Sequence, residues 1–303
     1  MEISVLTDEI DPDIFKAMES ATAWGIRRFE IRKIYGQRVP SIPGSMCKRV
    51  QDALLRYQAS VTALSPGLFK KAESLLNNRR FGGGSWWEDA DVYEEYRGRA
   101  YEILDRTIDL ANGFNSSAVT IFSPEVPLDR TGGECPQRIV ELIRDAAIRA
   151  ARHGITLLLE NDFGLWADTG KNAMRLAKSV DQDNLKVNWD PANAYVAGEV
   201  PFPEGYDHVK SLVGNVHAKD AIESTPAISE EYEVLGTGDI DWVGQIRALH
   251  EDGYAGSLCI ETHSHPLREK TFRNVCFLRH HLNVLSEEAR VKNDPRGQRH
   301  EEH

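Results

Sequence analysis

The chain has 303 residues, a hydrophobic fraction of 41%, a charged fraction of 27% and a formal net charge of −11. This composition is typical of a soluble globular protein with enough apolar material for a core. The negative charge argues against nucleic acid or an anionic membrane as a partner, because such surfaces repel an acidic protein. With no apolar run of about 18 residues and no signal peptide, we expect neither a transmembrane helix nor secretion.

Short apolar runs alternate with amphipathic segments along the chain, a pattern typical of βαβ units with parallel strands. Between the runs, apolar residues recur at steps of three and four, which indicates helices. Eight runs predict strands beginning near Ile3, Arg28, Ser60, Ala118, Ile155, Leu185, Gly214 and Ser257.

These eight repeats admit either an open doubly wound sheet or a closed barrel. The first strand leads into TDEIDPD, which has no glycine, so the Gly-rich phosphate loop of an open dinucleotide-binding sheet is absent. The sequence therefore predicts an α/β fold, a single-domain (β/α)8 TIM barrel over residues 1–285.

Two segments fall outside the repeat. The connection over residues 70–93 is long and contains Trp86 and Trp87, so we predict a lid over the active site or an interface with another subunit. The polar, charged stretch over residues 286–303 is predicted to be a flexible tail.

The four cysteines are widely separated and form no CxxC pair. Such spacing in a large chain indicates reduced thiols and a cytoplasmic protein, and it argues against a disulfide framework or a structural zinc site.

Four consecutive predicted strands end in a residue that can bind a metal. In a barrel the carboxyl ends of the strands open on one face, so these residues converge. Taken singly, each has a simpler explanation: an ion pair, a helix N-cap or a satisfied core histidine. Taken together, the clustered carboxylates would repel one another unless a cation lay between them. The four residues are Glu160, Asp190, His217 and Glu261.

Three carboxylates and one imidazole are a hard ligand set. Such a set suits Mn²⁺, Mg²⁺ or Co²⁺, with Zn²⁺ as a further option. The sequence therefore predicts one bound divalent metal ion.

The order and spacing of eight short motifs carry a family resemblance: TDEI, RRFEIR, SPGLFK, LLLEN, NWDPAN, HAKD, GTGDIDW and GSLCIETH. On these motifs the chain resembles the xylose-isomerase-like TIM barrels, the sugar phosphate isomerase/epimerase superfamily that also includes the endonuclease IV type. The resemblance covers Ile3 to about Leu282. It implies Mn²⁺ as the first choice of metal, with Glu160 and Glu261 as the catalytic pair.

The implied function is a metal-dependent isomerase or epimerase of a sugar, keto-sugar or polyol. One carboxylate would remove a proton next to a carbonyl, the metal would stabilise the enediolate, and the other carboxylate would return a proton. The alternative is a lyase or dehydratase acting on a keto-inositol, a dehydroshikimate-like compound or a 3-keto-glycoside, including cleavage of C- or O-glycosides. A non-catalytic binding barrel ranks third, since the ligand set is intact.

The sequence departs from two patterns within the superfamily. Ketose 3-epimerases commonly have histidine where this chain has Asn193 and arginine where it has Glu223, which puts simple epimerisation of a free ketose in doubt. The endonuclease IV type needs additional histidines for a three-metal cluster, including one at Asn193. A DNA-repair function is therefore not expected.

Further residues are predicted to contact a small carbohydrate-type substrate, and a homo-oligomer is expected. For some of them a structural role is an equal or better explanation: an ion pair for Lys219, solvent exposure for Lys70, and for Arg32 a ladder of ion pairs with Arg28 and Glu30. The predicted substrate contacts are Arg32, Lys70, Asn193, Lys219 and His263.

Overall fold

Parallel strands alternate with helices in the computed structural model, which describes residues 1–76, 85–127, 134–223, 225 and 232–292. The eight barrel strands follow chain order around the sheet, and the first pairs with the last to close it. The strands are β1 Glu2–Leu6, β2 Arg28–Ile31, β3 Ser60–Leu68, β4 Ala118–Ile121, β5 Thr156–Glu160, β6 Leu185–Trp189, β7 Val213–Ala218 and β8 Ser257–Ile260. The predicted (β/α)8 barrel is confirmed.

Helices surround the barrel and bury the apolar faces that the three- and four-residue steps predicted. In the helix Gln137–Ala151, for example, Ile139, Leu142, Ile143 and Ala146 are all buried. The longer helices are Ile14–Ala23, Gly44–Tyr57, Ala90–Gly113, Gln137–Ala151, Gly170–Val180, Trp242–Glu251 and Leu267–Lys292. The short helical segments are Thr7–Glu9, Ala72–Leu75, Pro191–Val196, Pro201–Gly205 and Tyr206–Val209.

A small antiparallel hairpin follows β2 and was not predicted. Its strands are Lys33–Ile34 and Gln37–Arg38. The two turn residues, Tyr35 and Gly36, have φ angles of 50° and 74°. Positive φ at both turn positions matches the twist of a tight hairpin, which explains the glycine at the second position.

The predicted tail begins inside a helix. The helix Leu267–Lys292 continues past Ser286, and Leu285 is buried just before it. Flexibility from residue 286 is therefore wrong as far as Lys292, because the segment is rich in helix-forming residues despite its charge. Residues 293–303 lie outside the described part of the chain.

Trp86 and Trp87 are buried within the subunit. The Trp86 ring lies 4.1 Å from that of Tyr96, and the Trp87 ring lies 6.3 Å from that of Trp166. The interpretation of this pair as an exposed interface is therefore wrong, because the indoles fill a space between the helix Ala90–Gly113 and the loop after β5. Residues 77–84 of the same connection lie outside the described residues.

All four cysteines are free, in agreement with the sequence analysis. Among the described helices, none combines the length and the hydropathy needed to cross a membrane.

Candidate metal centre and active site

The four predicted metal ligands converge at the carboxyl ends of β5 to β8. Glu160 ends β5 and His217 lies within β7, while Asp190 and Glu261 directly follow β6 and β8. All four are buried, and each offers a ligand atom within 4.8 Å of the others. Adjacent parallel strands thus bring together residues that are far apart in sequence.

His217 is oriented by a buried carboxylate on the other side of the barrel. Its Nε2 atom lies 3.0 Å from Glu30 Oε2. Its Nδ1 atom faces the ligand cluster, 3.2 Å from Glu261 Oε2 and 3.5 Å from Glu160 Oε2, and has no hydrogen-bond partner with suitable geometry. A histidine that is a metal ligand through one nitrogen usually donates the other N–H to such a partner.

Asp190 caps a helix with one oxygen and faces the cluster with the other. Its Oδ1 atom accepts a hydrogen bond from the Asn193 backbone N–H at 2.9 Å and so caps the helix Pro191–Val196. Its Oδ2 atom lies 2.7 Å from Lys219 Nζ but makes no geometrically suitable hydrogen bond. One oxygen fixes the side chain, and the other is left facing the cluster.

Lys219 and His263 surround Glu261 with positive or proton-bearing groups. Lys219 Nζ donates to Glu261 Oε2 at 2.7 Å, and His263 Nε2 lies 3.0 Å from Glu261 Oε1. Arg32 Nη1 donates to the same Oε1 at 2.8 Å. Glu261 is therefore held at both oxygens, whereas the only hydrogen bond to Glu160 among the described residues comes from Asn188 at 3.0 Å.

The pKa values of the cluster are shifted in opposite directions: that of Glu261 is lowered, and those of Glu160, Asp190 and His217 are raised. Burial raises the pKa of Glu160 and of Asp190, because a carboxylate loses its hydration there. Burial also opposes ionisation of Glu261, but Lys219, His263 and His217 outweigh it and hold its pKa well below the usual value. Burial acts to lower the pKa of His217, and the carboxylates of Glu30, Glu160 and Glu261 raise it well above the usual value.

This donor set fits a divalent cation. Three buried carboxylates and one imidazole present hard oxygen and nitrogen atoms to a common point. Two atoms facing that point, His217 Nδ1 and Asp190 Oδ2, are buried without a hydrogen bond, which is costly unless another partner satisfies them.

A cavity of about 820 Å³ opens above the cluster. Its lining includes Glu160 and Glu261 together with all five residues predicted to contact substrate. Those five are Arg32, Lys70, Asn193, Lys219 and His263.

Arg32 and Lys70, like His263 with Glu9, pair with carboxylates beyond the cluster. Arg32 binds Asp8 Oδ2 through Nε at 2.9 Å and also pairs with Glu9, in addition to Glu261. Lys70 pairs with Asp162. The other two also have partners within the chain, so all five predicted substrate contacts stay predictions.

The predicted ladder of ion pairs within RRFEIR is wrong. Arg28 pairs with Glu2 at the opposite end of the barrel, and Arg32 pairs with acidic residues that follow β1. Glu30 lies between them and accepts hydrogen bonds from Thr120 and Asn215 besides contacting His217. Each residue of the motif thus has partners at a different depth in the barrel.

Sequence reasoning missed three residues that shape the site. Glu30 orients His217, and Glu9 accepts from the backbone N–H of His263 at 2.8 Å. Tyr232 lies over Lys219, with the ammonium 4.8 Å from the ring centre, and donates to Asn193 Oδ1. The TDEI and RRFEIR motifs contain two of the three, but no sequence signal links them to His217 or His263.

The barrel and its mouth have clear relatives. The sequence matches the family described as Xylose isomerase-like TIM barrel over residues 18–281. The chain belongs to this family. A probable endonuclease 4 of Thermoplasma acidophilum is 25% identical over 174 residues, which cover 54% of this chain and 58% of that protein. An uncharacterized protein of Methanocaldococcus jannaschii is 27% identical over 158 residues, 51% of this chain and 49% of that protein.

The chain thus spans only about half the length of these curated members of the family. Solved structures match over more of the chain. L-ribulose 3-epimerase has a TM-score of 0.72 at 16% identity and covers 97% of this chain and 99% of its own. A probable 3-DHS dehydratase of Bacillus anthracis has a TM-score of 0.71 at 16% identity and covers 92% and 99%. At these identities the likeness shows the xylose-isomerase-like fold alone.

Proposed function

We propose that this protein is a divalent-metal-dependent isomerase or epimerase that moves a proton next to the carbonyl of a sugar, keto-sugar or polyol. The observation that carries the proposal is the cluster of Glu160, Asp190, His217 and Glu261, in which two buried ligand atoms that make no hydrogen bond face one point beneath a cavity. Mn²⁺ is the proposed ion. When bound, such an ion withdraws electron density from a carbonyl and its neighbouring hydroxyl, which acidifies the proton between them.

Glu160 is the proposed first base. It lines the cavity, and burial raises the pKa of its carboxyl group toward the range in which a base exchanges protons at neutral pH. Glu261 lines the same cavity, and its oxygens are held by Lys219, Arg32 and His263. In an epimerisation the other face of the carbon would receive a proton that Lys219 or His263 supplies through Glu261, while the proton taken by Glu160 would pass to solvent.

The second candidate is elimination by a lyase or dehydratase at the same site. Lys219 and His263 favour it, because both line the cavity beside Glu261 and carry protons that a departing oxygen needs. The probable 3-DHS dehydratase of Bacillus anthracis has the same fold, which supports elimination as the second candidate. Cleavage of DNA is not proposed, because a net charge of −11 disfavours binding of a phosphate backbone.

Solvent proton exchange tests the proposal. Mn²⁺-loaded protein is incubated in D₂O with a panel of ketoses, keto-inositols and keto-glycosides, and products are followed by NMR and mass spectrometry. Deuterium in a product that is an isomer of its substrate indicates isomerisation or epimerisation. Loss of water or of an aglycone indicates elimination. Glu160→Gln should abolish the exchange. Exchange that continues undiminished in this variant would contradict the role of Glu160.

A further inference from the structure

The hairpin after β2 presents two cations side by side at the cavity. Lys33 and Arg38 are direct partners across its two strands, so their side chains leave the same face. Both residues line the cavity above the metal ligands. Like charges directly opposite each other on two strands are destabilising, so this placement costs free energy of folding.

The other cations considered at the site differ in having carboxylate partners. Arg32 contacts three carboxylates, and Lys219 contacts two. Lys70 pairs with Asp162. Within the described ranges, Lys33 and Arg38 form no ion pair, and the hydrogen bond of their side chains is the one from Arg38 Nη1 to the Ser65 carbonyl oxygen at 3.3 Å.

The end of β3, at Gly67, lies directly against Arg38. Gly67 has a φ of 71°, and a Cβ atom there would lie 2.9 Å from Arg38 Nη1. The guanidinium therefore packs against bare backbone where any other residue would displace it. Burial and Arg32 lower the pKa of Arg38, while Asp8, Glu261 and Glu160 oppose them, so its charge is within electrostatic reach of the metal ligands.

We propose that Lys33 and Arg38 form an anion subsite, which binds a carboxylate or phosphate substituent carried by the substrate at a distance from the reacting carbons. An anion removes the repulsion between the two cations, and the fork of a guanidinium binds either group through two parallel hydrogen bonds. The substrate class is then an acidic or phosphorylated sugar. This inference rests on the proposed function, which places the sugar at Glu160 and Glu261.

The subsite would also allow an anionic substrate to bind despite the negative net charge of the protein. A net charge of −11 repels an anionic substrate unless a local pair of cations receives it. The two sources of negative charge, carboxylate and phosphate, are separated by experiment.

Binding to the Mn²⁺-loaded protein is measured by calorimetry with glucuronate, glucose 6-phosphate and glucose. The wild type should bind one of the two anionic sugars at least about tenfold more tightly than glucose, as expected for charge-assisted hydrogen bonds. The anion preferred identifies the source. Lys33→Gln with Arg38→Gln should reduce the preference to about twofold or less. The control, Lys48→Gln with Arg56→Gln, removes the same charge from exposed positions on the helix Gly44–Tyr57 and should keep it.

Absence of a preference in the wild type, including absence of binding by both anions, overturns the subsite. So does a preference that survives in the Lys33/Arg38 double variant, because the anion is then bound elsewhere. Deuterium exchange on the same samples separates the two proposals. Exchange without charge preference refutes the subsite alone, and charge preference without exchange on any substrate of the panel refutes the proposed reaction alone.

Discussion

The two halves of the barrel contribute different parts of the site. Strands β5 to β8 supply all four candidate ligands at their carboxyl ends. Strands β1 and β2 and the segments that follow them supply contacts to these ligands from across the barrel, Glu30 on His217 and Arg32 on Glu261. Other contacts come from the ligand-bearing strands themselves, such as Asn188 on Glu160. The comparison teaches that ligands can lie on consecutive strands, while their orientation depends on contacts across the barrel.

The largest expected effect is a loss of bound metal when a candidate ligand on β5 to β8, the ligand half of the barrel, is removed. His217→Ala removes the imidazole from the cluster and should reduce bound metal from about one equivalent to background, because one nitrogen ligand is lost. Elemental analysis after dialysis against Mn²⁺ measures this. His153→Ala is the control, since this histidine is exposed and remote from the cluster. Equal metal content in the two variants would show that His217 is not a metal ligand.

The two carboxylates proposed as catalytic, Glu160 and Glu261, should affect the stability of the chelator-treated protein in opposite directions. The pKa of Glu261 is lowered, so its charge stabilises the fold above the unfolded-state value of 4.5 and this contribution is lost as the pH falls through the folded-state value. Glu261→Gln should therefore destabilise at pH 7 by about 3 kcal/mol. Glu160 has a raised pKa, so its charge costs stability at neutral pH, and this cost disappears below 4.5.

Glu160→Gln should accordingly raise the melting temperature at pH 7, and its effect should shrink as the pH approaches 4.5. Thermal unfolding of both variants between pH 4 and pH 7 checks the signs. Shifts of the same sign at pH 7 would show that the two carboxylates have equivalent surroundings, against the contacts described above.

A change on β2, which contacts the ligands from across the barrel, should have a smaller effect on metal affinity. Glu30→Gln keeps the size of the side chain but replaces the carboxylate that contacts His217 Nε2, so Mn²⁺ affinity should fall about 10- to 100-fold. Competition with a fluorescent chelator measures the change. Glu2→Gln, at the closed end of β1, should leave affinity unchanged. An affinity equal to wild type in the Glu30 variant would show that orientation is set within the ligand half.

The smallest effect is expected at the rim of the cavity. The pair of Lys70 and Asp162 is partly exposed, so Lys70→Gln should change the free energy of unfolding by less than about 1 kcal/mol. Urea unfolding measures it. A larger loss would place this pair among the supports of the barrel.

The fold could be predicted from sequence because the period of apolar residues reports local structure directly. The convergence of the four candidate ligands could be predicted because parallel strands bring their carboxyl ends to one face, whatever the separation in sequence. The contacts that orient the candidate ligands could not be predicted. Glu30 and His217 are 187 positions apart, and only the closed barrel brings them into contact. Trp86 and Trp87 were placed wrongly for a similar reason, since a pair of indoles does not reveal which surface will bury it.

The two carboxylate oxygens of Asp190 have different surroundings. Because Oδ1 caps the helix Pro191–Val196 and Oδ2 faces the cluster, an Asp190→Asn exchange can keep the cap through its remaining oxygen and place an amide toward the metal ligands. The exchange would therefore leave the helix cap in place while it removes the negative charge that lies 2.7 Å from Lys219 Nζ.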